Sequence, residues 1–455
     1  MYFIIFVAKA YLRLVSSIIV KYLLMKHTAV VLIILFSLFI QNVKGQKQHD
    51  ILASFNEIKT ASKIHSGLWN KDLYGPMLLV EPKTRVIFTN EADDKGVLKL
   101  KDGVYSGILP ADINIANTAV NWNGKRWTMV MLPLPQNKQA RIGLLAHESF
   151  HGIQPSLGFE LSNPENNHLD RKDGRIYLRL ELEALKKVVQ SNSEKDVRQH
   201  LTNALILRKY RHSLYDGSAL VENQLELNEG LAEFTGVIVS GGNKKEIRES
   251  LVNNINDFFN NPTFVRSFAY HTIPVYGYLL YQKDKTWNKR ITSKTDLTDY
   301  FIKAYNITIP ADVKIAVNNV SDLYNRQIII DEETKREEET KKRIAEYKSK
   351  FIDLPHFEIK FVKMNVSFDP RNIVPIEDKG TVYPNIRVTD VWGVLTVQNG
   401  ALMSPYWDKI SISNPIETKE KQIVGEGWVL ELSDGYMVKK NESNENYTLT
   451  KKNGP

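Results

Sequence analysis

The chain has 455 residues, no cysteine, 43% apolar and 25% charged side chains, and a formal net charge of +8. The absence of cysteine excludes disulfides and thiolate metal ligands, and this ordinary globular composition, long enough for two or three domains, excludes wholesale disorder. The five cations of residues 1–45, a stretch without acids, leave only +3 for the rest, so charge makes no case for a nucleic-acid partner.

The leader comes first. Met25-Lys26-His27 precedes the almost wholly apolar run Ala29–Ile40, and compact residues lie beyond it up to Gly45. A short basic start and an apolar core too short to span a bilayer predict a secretory signal peptide over 1–45, cut after Gly45. Residues 1–24 form a second apolar, lightly basic segment, so Met25 is expected to be the true start; the alternative joins both segments into a membrane anchor. In either case the remainder is expected outside the cytoplasm, secreted or periplasmic, touching a membrane only through an uncleaved leader.

From Asp50 to about Ser66 the pattern is helical. The period then changes, and Met77–Val80, Thr84–Thr89 and Gly103–Leu109 read as short strands. Thr118–Trp122 and Lys125–Leu132 flank Asn123-Gly124, a strong hairpin signal. The second arm leads into a helix that starts after Asn137 as its cap and stops by Gln154, because Pro155 comes next.

That helix carries Leu144-Leu145-Ala146-His147-Glu148-Ser149-Phe150-His151. His147 and His151 are one turn apart and project from one face, with Glu148 beside them. Neutral imidazole is a good ligand for Zn²⁺, and a neighbouring carboxylate can take the proton of an attacking water. A third ligand is needed. The extended motif that supplies it from the same segment requires Gly at 154 and His at 157; this chain has Gln154 and Leu157, which excludes that branch. The other branch draws a glutamate from a later helix. Glu229 within Leu227–Phe234 is one candidate; Glu181, Glu183 and the pair His168 and Asp170 are others.

Residues 175–305 are mainly helical, with apolar periodicity over Ile176–Val189, Val197–Tyr210, Ala219–Val239 and Ile247–Phe259. Within the third segment Glu222 and Glu226 continue the stripe of Glu229 at helical spacing and read as a solvated face. Asp331–Lys350 is a charge run with opposite charges four residues apart, which predicts a solvated helical linker over 326–352. From Phe357 onward alternation between Gly, Asn, Asp and Pro breaks predicts a β-sandwich-like domain.

His147-Glu148-x-x-His151 with a later Asn228-Glu229-Gly230-x-Ala232 resembles the gluzincin metallopeptidases, the group of thermolysin and the membrane-alanyl-type aminopeptidases, although the intervening loop is far longer here than in the aminopeptidases. The resemblance implies that His147, His151 and Glu229 bind zinc and that Glu148 is the general base. It implies that Glu233 accepts a hydrogen bond from a ligand histidine. It also points to Tyr270, His271 or Tyr276 as donor to the oxyanion, and to a strand before the metal helix as the edge on which a substrate peptide lies. The expected fold is α+β: a zincin-like catalytic domain over 46–325, with a small mixed sheet and a helical subdomain, then the linker, then an all-β domain over 353–455. The expected function is an exported zinc peptidase acting on peptides or proteins. Its rivals are a catalytically inactive extracytoplasmic binding or adhesion protein on the same fold, and a zinc hydrolase of non-peptide amides. No feature of the sequence sets an oligomeric state.

Overall fold

The computed structural model describes residues 50–160, 162–368 and 373–452; the leader expected at 1–45 lies outside them. Helices and sheets are mixed, with a mainly helical region followed by a β-rich C-terminal region. The helices are α1 (50–64), α2 (Lys138–Ile153), α3 (Lys172–Gln190), α4 (Glu194–Leu214), α5 (Ser218–Leu225), α6 (Leu231–Val239), α7 (Lys244–Phe258), α8 (Ala269–Lys283), α9 (Leu297–Ala304), α10 (Val313–Ser321) and α11 (Arg326–Lys348). Among the described residues no helix is long and apolar enough to cross a membrane.

The chain forms two compact units, each discontinuous. One takes the chain to Leu161 together with Leu231–Ile247 and Tyr281–Lys294; the other takes Ser162–Gly230, Arg248–Leu280 and Thr295 onward. Residues 46–325 are thus shared by both units, and the β-rich region falls in the second. Segments distant in sequence pack together here, which no local periodicity encodes.

The first unit is built on a sheet of β1 (Met77–Val80), β2 (Val86–Thr89), β3 (Lys99–Lys101), β4 (Val104–Ile108), β5 (Thr118–Trp122) and β6 (Lys125–Met131), in the order β3-β4-β2-β1-β6-β5. Asn123 and Gly124 both take positive φ, 47° and 87°, as the tight turn between β5 and β6 demands. β6 runs parallel to β1 on one side and antiparallel to β5 on the other, so the strand that leads into α2 is interior and the sheet's edges are β5 and β3. All four residues of β1 are buried, which means both sheet faces are covered. Leu78, Val80, Ile87, Trp127 and Met129 fill one face. On the other lies α2: a Cβ on Gly152 would stand 3.1 Å from Thr128 Oγ1, which points opposite to Trp127 and Met129. Asn137 caps α2 through its side-chain oxygen, which accepts from the Ala140 amide at 2.9 Å. α6 crosses α2 closely, and Trp69 Nε1 donates to Thr235 Oγ1 on α6 at 2.9 Å.

In the second unit α3 and α4 pack together over a charged core. Arg208 donates to Glu181 Oε1 at 2.7 Å and to both oxygens of Glu226 at 2.9 and 2.7 Å. Arg211 donates to Glu181 Oε2 at 2.6 Å and to both oxygens of Glu222 at 2.9 and 2.6 Å. Rings from His168 and His212 meet Glu222 at 2.8 and 3.0 Å. The Tyr276 hydroxyl donates to Glu181 and the Thr272 hydroxyl to Glu226. Glu222 and Glu226 are therefore buried partners of arginines, in place of the solvated stripe expected from their spacing.

Burial alone would raise all three carboxyls. Arg211 and then His212 nevertheless hold Glu222 well below the ordinary value, and Arg208 with Arg211 holds Glu181 below it. At Glu226 burial outweighs Arg208, and its value is raised.

The charged helix α11 is also anchored where solvation was expected. Glu333, 2% exposed, accepts from Arg175 and Arg179 of α3 at 2.7 and 2.8 Å. Beyond it, a seven-stranded and a six-stranded sheet share one apolar core, including Phe357, Ile410 and Ile412 from the first and Val388, Leu395 and Leu430 from the second.

A Cβ on Gly236 would stand 2.8 Å from the Gly143 carbonyl oxygen, whereas one on Gly143 meets the Gly236 oxygen at an ordinary 3.6 Å. G236A should therefore cost about 1–3 kcal/mol of stability, while G143A should be neutral or gain up to about 1 kcal/mol from helix propensity; thermal melts of both variants check the asymmetry. Glu181 and Glu222 contribute stability that is present above the unfolded glutamate value of about 4.3 and lost as pH falls through their lower folded values; Glu226 acts in the opposite sense. Melting temperature should thus fall steeply below pH about 4, and E222Q should be less stable at neutral pH but show a shallower acid slope. Equal slopes would mean that Glu222 does not drive the acid transition.

Candidate metal centre

The 3.6-residue repeat of α2 stacks His147 over His151, and their Nε2 atoms face one another at 3.2 Å. Each ring is oriented from its far side. His147 Nδ1 donates to Glu233 Oε2 at 2.8 Å, and His151 Nδ1 donates to Gln154 Oε1 at 2.8 Å. These bonds fix the tautomer that leaves both Nε2 lone pairs directed inward.

His147, His151 and Glu229 each offer a ligand atom, and these atoms all lie within 4.8 Å of one another. The group could hold a metal ion. Two nitrogens bound to a tetrahedral centre at about 2.0–2.1 Å stand about 3.3 Å apart, close to the separation of the two Nε2 atoms. Two imidazoles and a carboxylate, without sulfur, form a donor set suited to zinc and its first-row neighbours. His147 is buried, while His151 and Glu229 are half-buried.

Glu229 sits in a π-helical turn, Glu226–Gly230, inserted between α5 and α6. Such an insertion adds one residue to the helical run and rotates the downstream residues by about 100° relative to an unbroken α-helix. The run can thereby direct Glu222 and Glu226 to the arginines and Glu229 away from them. Both oxygens of Glu229 accept hydrogen bonds: Oε1 from Asn228 Nδ2 at 3.0 Å, Oε2 from the Tyr270 hydroxyl at 2.5 Å. Gly230 is required here, because a Cβ would meet Ile273 of α8 at 2.6 Å.

The other candidates for third ligand have different occupations. Glu181 lies in the charged core, Glu183 accepts from Lys186 at 2.9 Å, His168 is held by Glu222, and Asp170 accepts from Thr263 and the Phe264 amide. Glu148, between the two histidines on α2, is 6% exposed. His271 stacks on Phe258 with ring centroids 4.3 Å apart.

Tyr276 lies in the charged core. Its hydroxyl is bound to Glu181 at 2.9 Å, its side chain has no exposure, and burial pushes its pKa far up. Tyr270 does stand at the group, and its hydroxyl donates to Glu229.

Gln154 is the residue that sequence reasoning used only to reject the extended motif. The signal was its position, three residues past His151 at the helix terminus, where a side chain can return to the last turn. No protein-family model matches this chain, and no curated protein or solved structure matches it either.

Proposed function

We propose that this chain is a zinc-dependent peptidase with a zincin-like fold, exported from the cytoplasm, acting on peptides or proteins. The observation that carries the reading is the grouping of His147, His151 and Glu229 around one point, with Glu148 on the same helix. The zincin likeness rests on the sequence motif together with a metal helix laid on a small mixed sheet.

His147 and His151 would bind zinc through Nε2, and Glu229 through one carboxylate oxygen, while Glu233, Gln154, Asn228 and Tyr270 hold these three in orientation. The ion, when bound, supplies Lewis acidity toward the scissile carbonyl and toward water. Glu148 takes the proton of the attacking water and passes it to the leaving amine. Its low exposure restricts competing solvation of the carboxylate. The free edge of β5 offers backbone groups for an extended peptide.

The test has two arms. Cleavage of a mixed peptide library should be abolished by a chelator and restored by zinc. E148Q should keep close to one metal per chain while turnover drops by at least about a hundredfold, whereas H147A and E229A should lose the metal. Full turnover in E148Q would remove the base assignment. Stoichiometric zinc with no cleavage of any peptide would favour the inactive binding protein.

A further inference from the structure

The charged core of the second unit touches no reacting atom, yet it ends on the turn that carries Glu229. Glu226 opens that turn, and Arg208 grips both of its oxygens from α4. α8 meets the same turn at three of its five residues. Thr272 Oγ1 donates to Glu226 Oε1 at 2.7 Å, the Tyr270 hydroxyl donates to Glu229 Oε2 at 2.5 Å, and Ile273 fills the space that a side chain on Gly230 would need.

A π-helical turn is a rare insertion in an α-helix and competes with an unbroken helix of shifted register. Relaxing the insertion would rotate Glu229 by about 100° about the helix axis. Something must hold the extra residue at Glu226–Gly230, and the side chains that meet that turn include Arg208, Thr272, Tyr270, Ile273 and Asn163. We infer that Glu226, clamped by Arg208 and Thr272, is a positioning residue for Glu229, setting the register that delivers this carboxylate to the metal. The inference rests on the metal-centre reading. It assigns the buried carboxylate a task beyond packing, since it acts on the ligand through three residues of backbone.

The experiment uses the full chain carrying E226Q, T272V, T272S or I255A. I255A removes a fully buried side chain from α7 and serves as a control for stability loss alone. Zn²⁺ affinity is read by competition with a chromophoric chelator, site geometry by the d–d absorption of bound Co²⁺, and stability by melting of the metal-free protein. E226Q and T272V should weaken Zn²⁺ binding by roughly 10–100-fold and alter the Co²⁺ spectrum, T272S should restore both, and I255A should bind like the wild type despite its lower melting temperature. If E226Q fails to fold, the T272V and T272S pair carries the test. Wild-type affinity and spectrum in T272V, or an equal loss in I255A, would overturn the inference and leave the metal centre standing. Failure of the wild type to take up either ion would overturn both.

Discussion

Two arginines and three glutamates, none with appreciable access to water, fix the helical part of the second unit. Arg208 and Arg211 bridge α3, α4 and the α5 run through a connected set of charged hydrogen bonds to Glu181, Glu222 and Glu226. Desolvating such groups costs several kcal/mol per ion, and the cost is offset only where geometry is nearly saturated. Saturation is what the neighbours supply, since Tyr276, Thr272, His168 and His212 satisfy the remaining oxygens. A core of this kind tolerates no change of register, because removing one partner strands a charge at about 3–5 kcal/mol.

This intolerance has a local outcome in the run from Ser218 to Val239. The run must present Glu222 and Glu226 to guanidiniums and Glu229 to a different environment. An unbroken α-helix offers one angular relation between those positions. The inserted π turn offers another, and Gly230 is the residue small enough to pass Ile273 at the crossing. Glu229 accordingly has its own donors, Asn228 and Tyr270, separate from the arginines.

The histidine pair was legible because its geometry is purely local: two residues four apart on a helix face one way wherever that helix is placed. The start of α2 at Asn137 was legible for the same reason, as cap chemistry depends on neighbouring backbone. Glu229 could be picked from several acids only through the resemblance of its neighbours. Glu222 and Glu226 were misread because acids at helical spacing look alike whether they face water or arginine, and the arginines come from another helix. The partner of Tyr276 was equally illegible, for a tyrosine near a motif carries no mark of which group its hydroxyl meets. Glu333 shows the limit most plainly, since a run of alternating charges conceals the single member that is inserted between Arg175 and Arg179.

At Gly143 and Gly236 the backbones of α2 and α6 approach one another directly, with the His147 and Ser240 side chains at the edge of the contact. Sliding one helix along the other would cost this backbone van der Waals contact. His147 lies on one of them and Glu233 on the other, so the bond from His147 Nδ1 to Glu233 ties the two helices together beside that approach. The orientation of this imidazole is thus a property of the helix pair and not of its own helix alone.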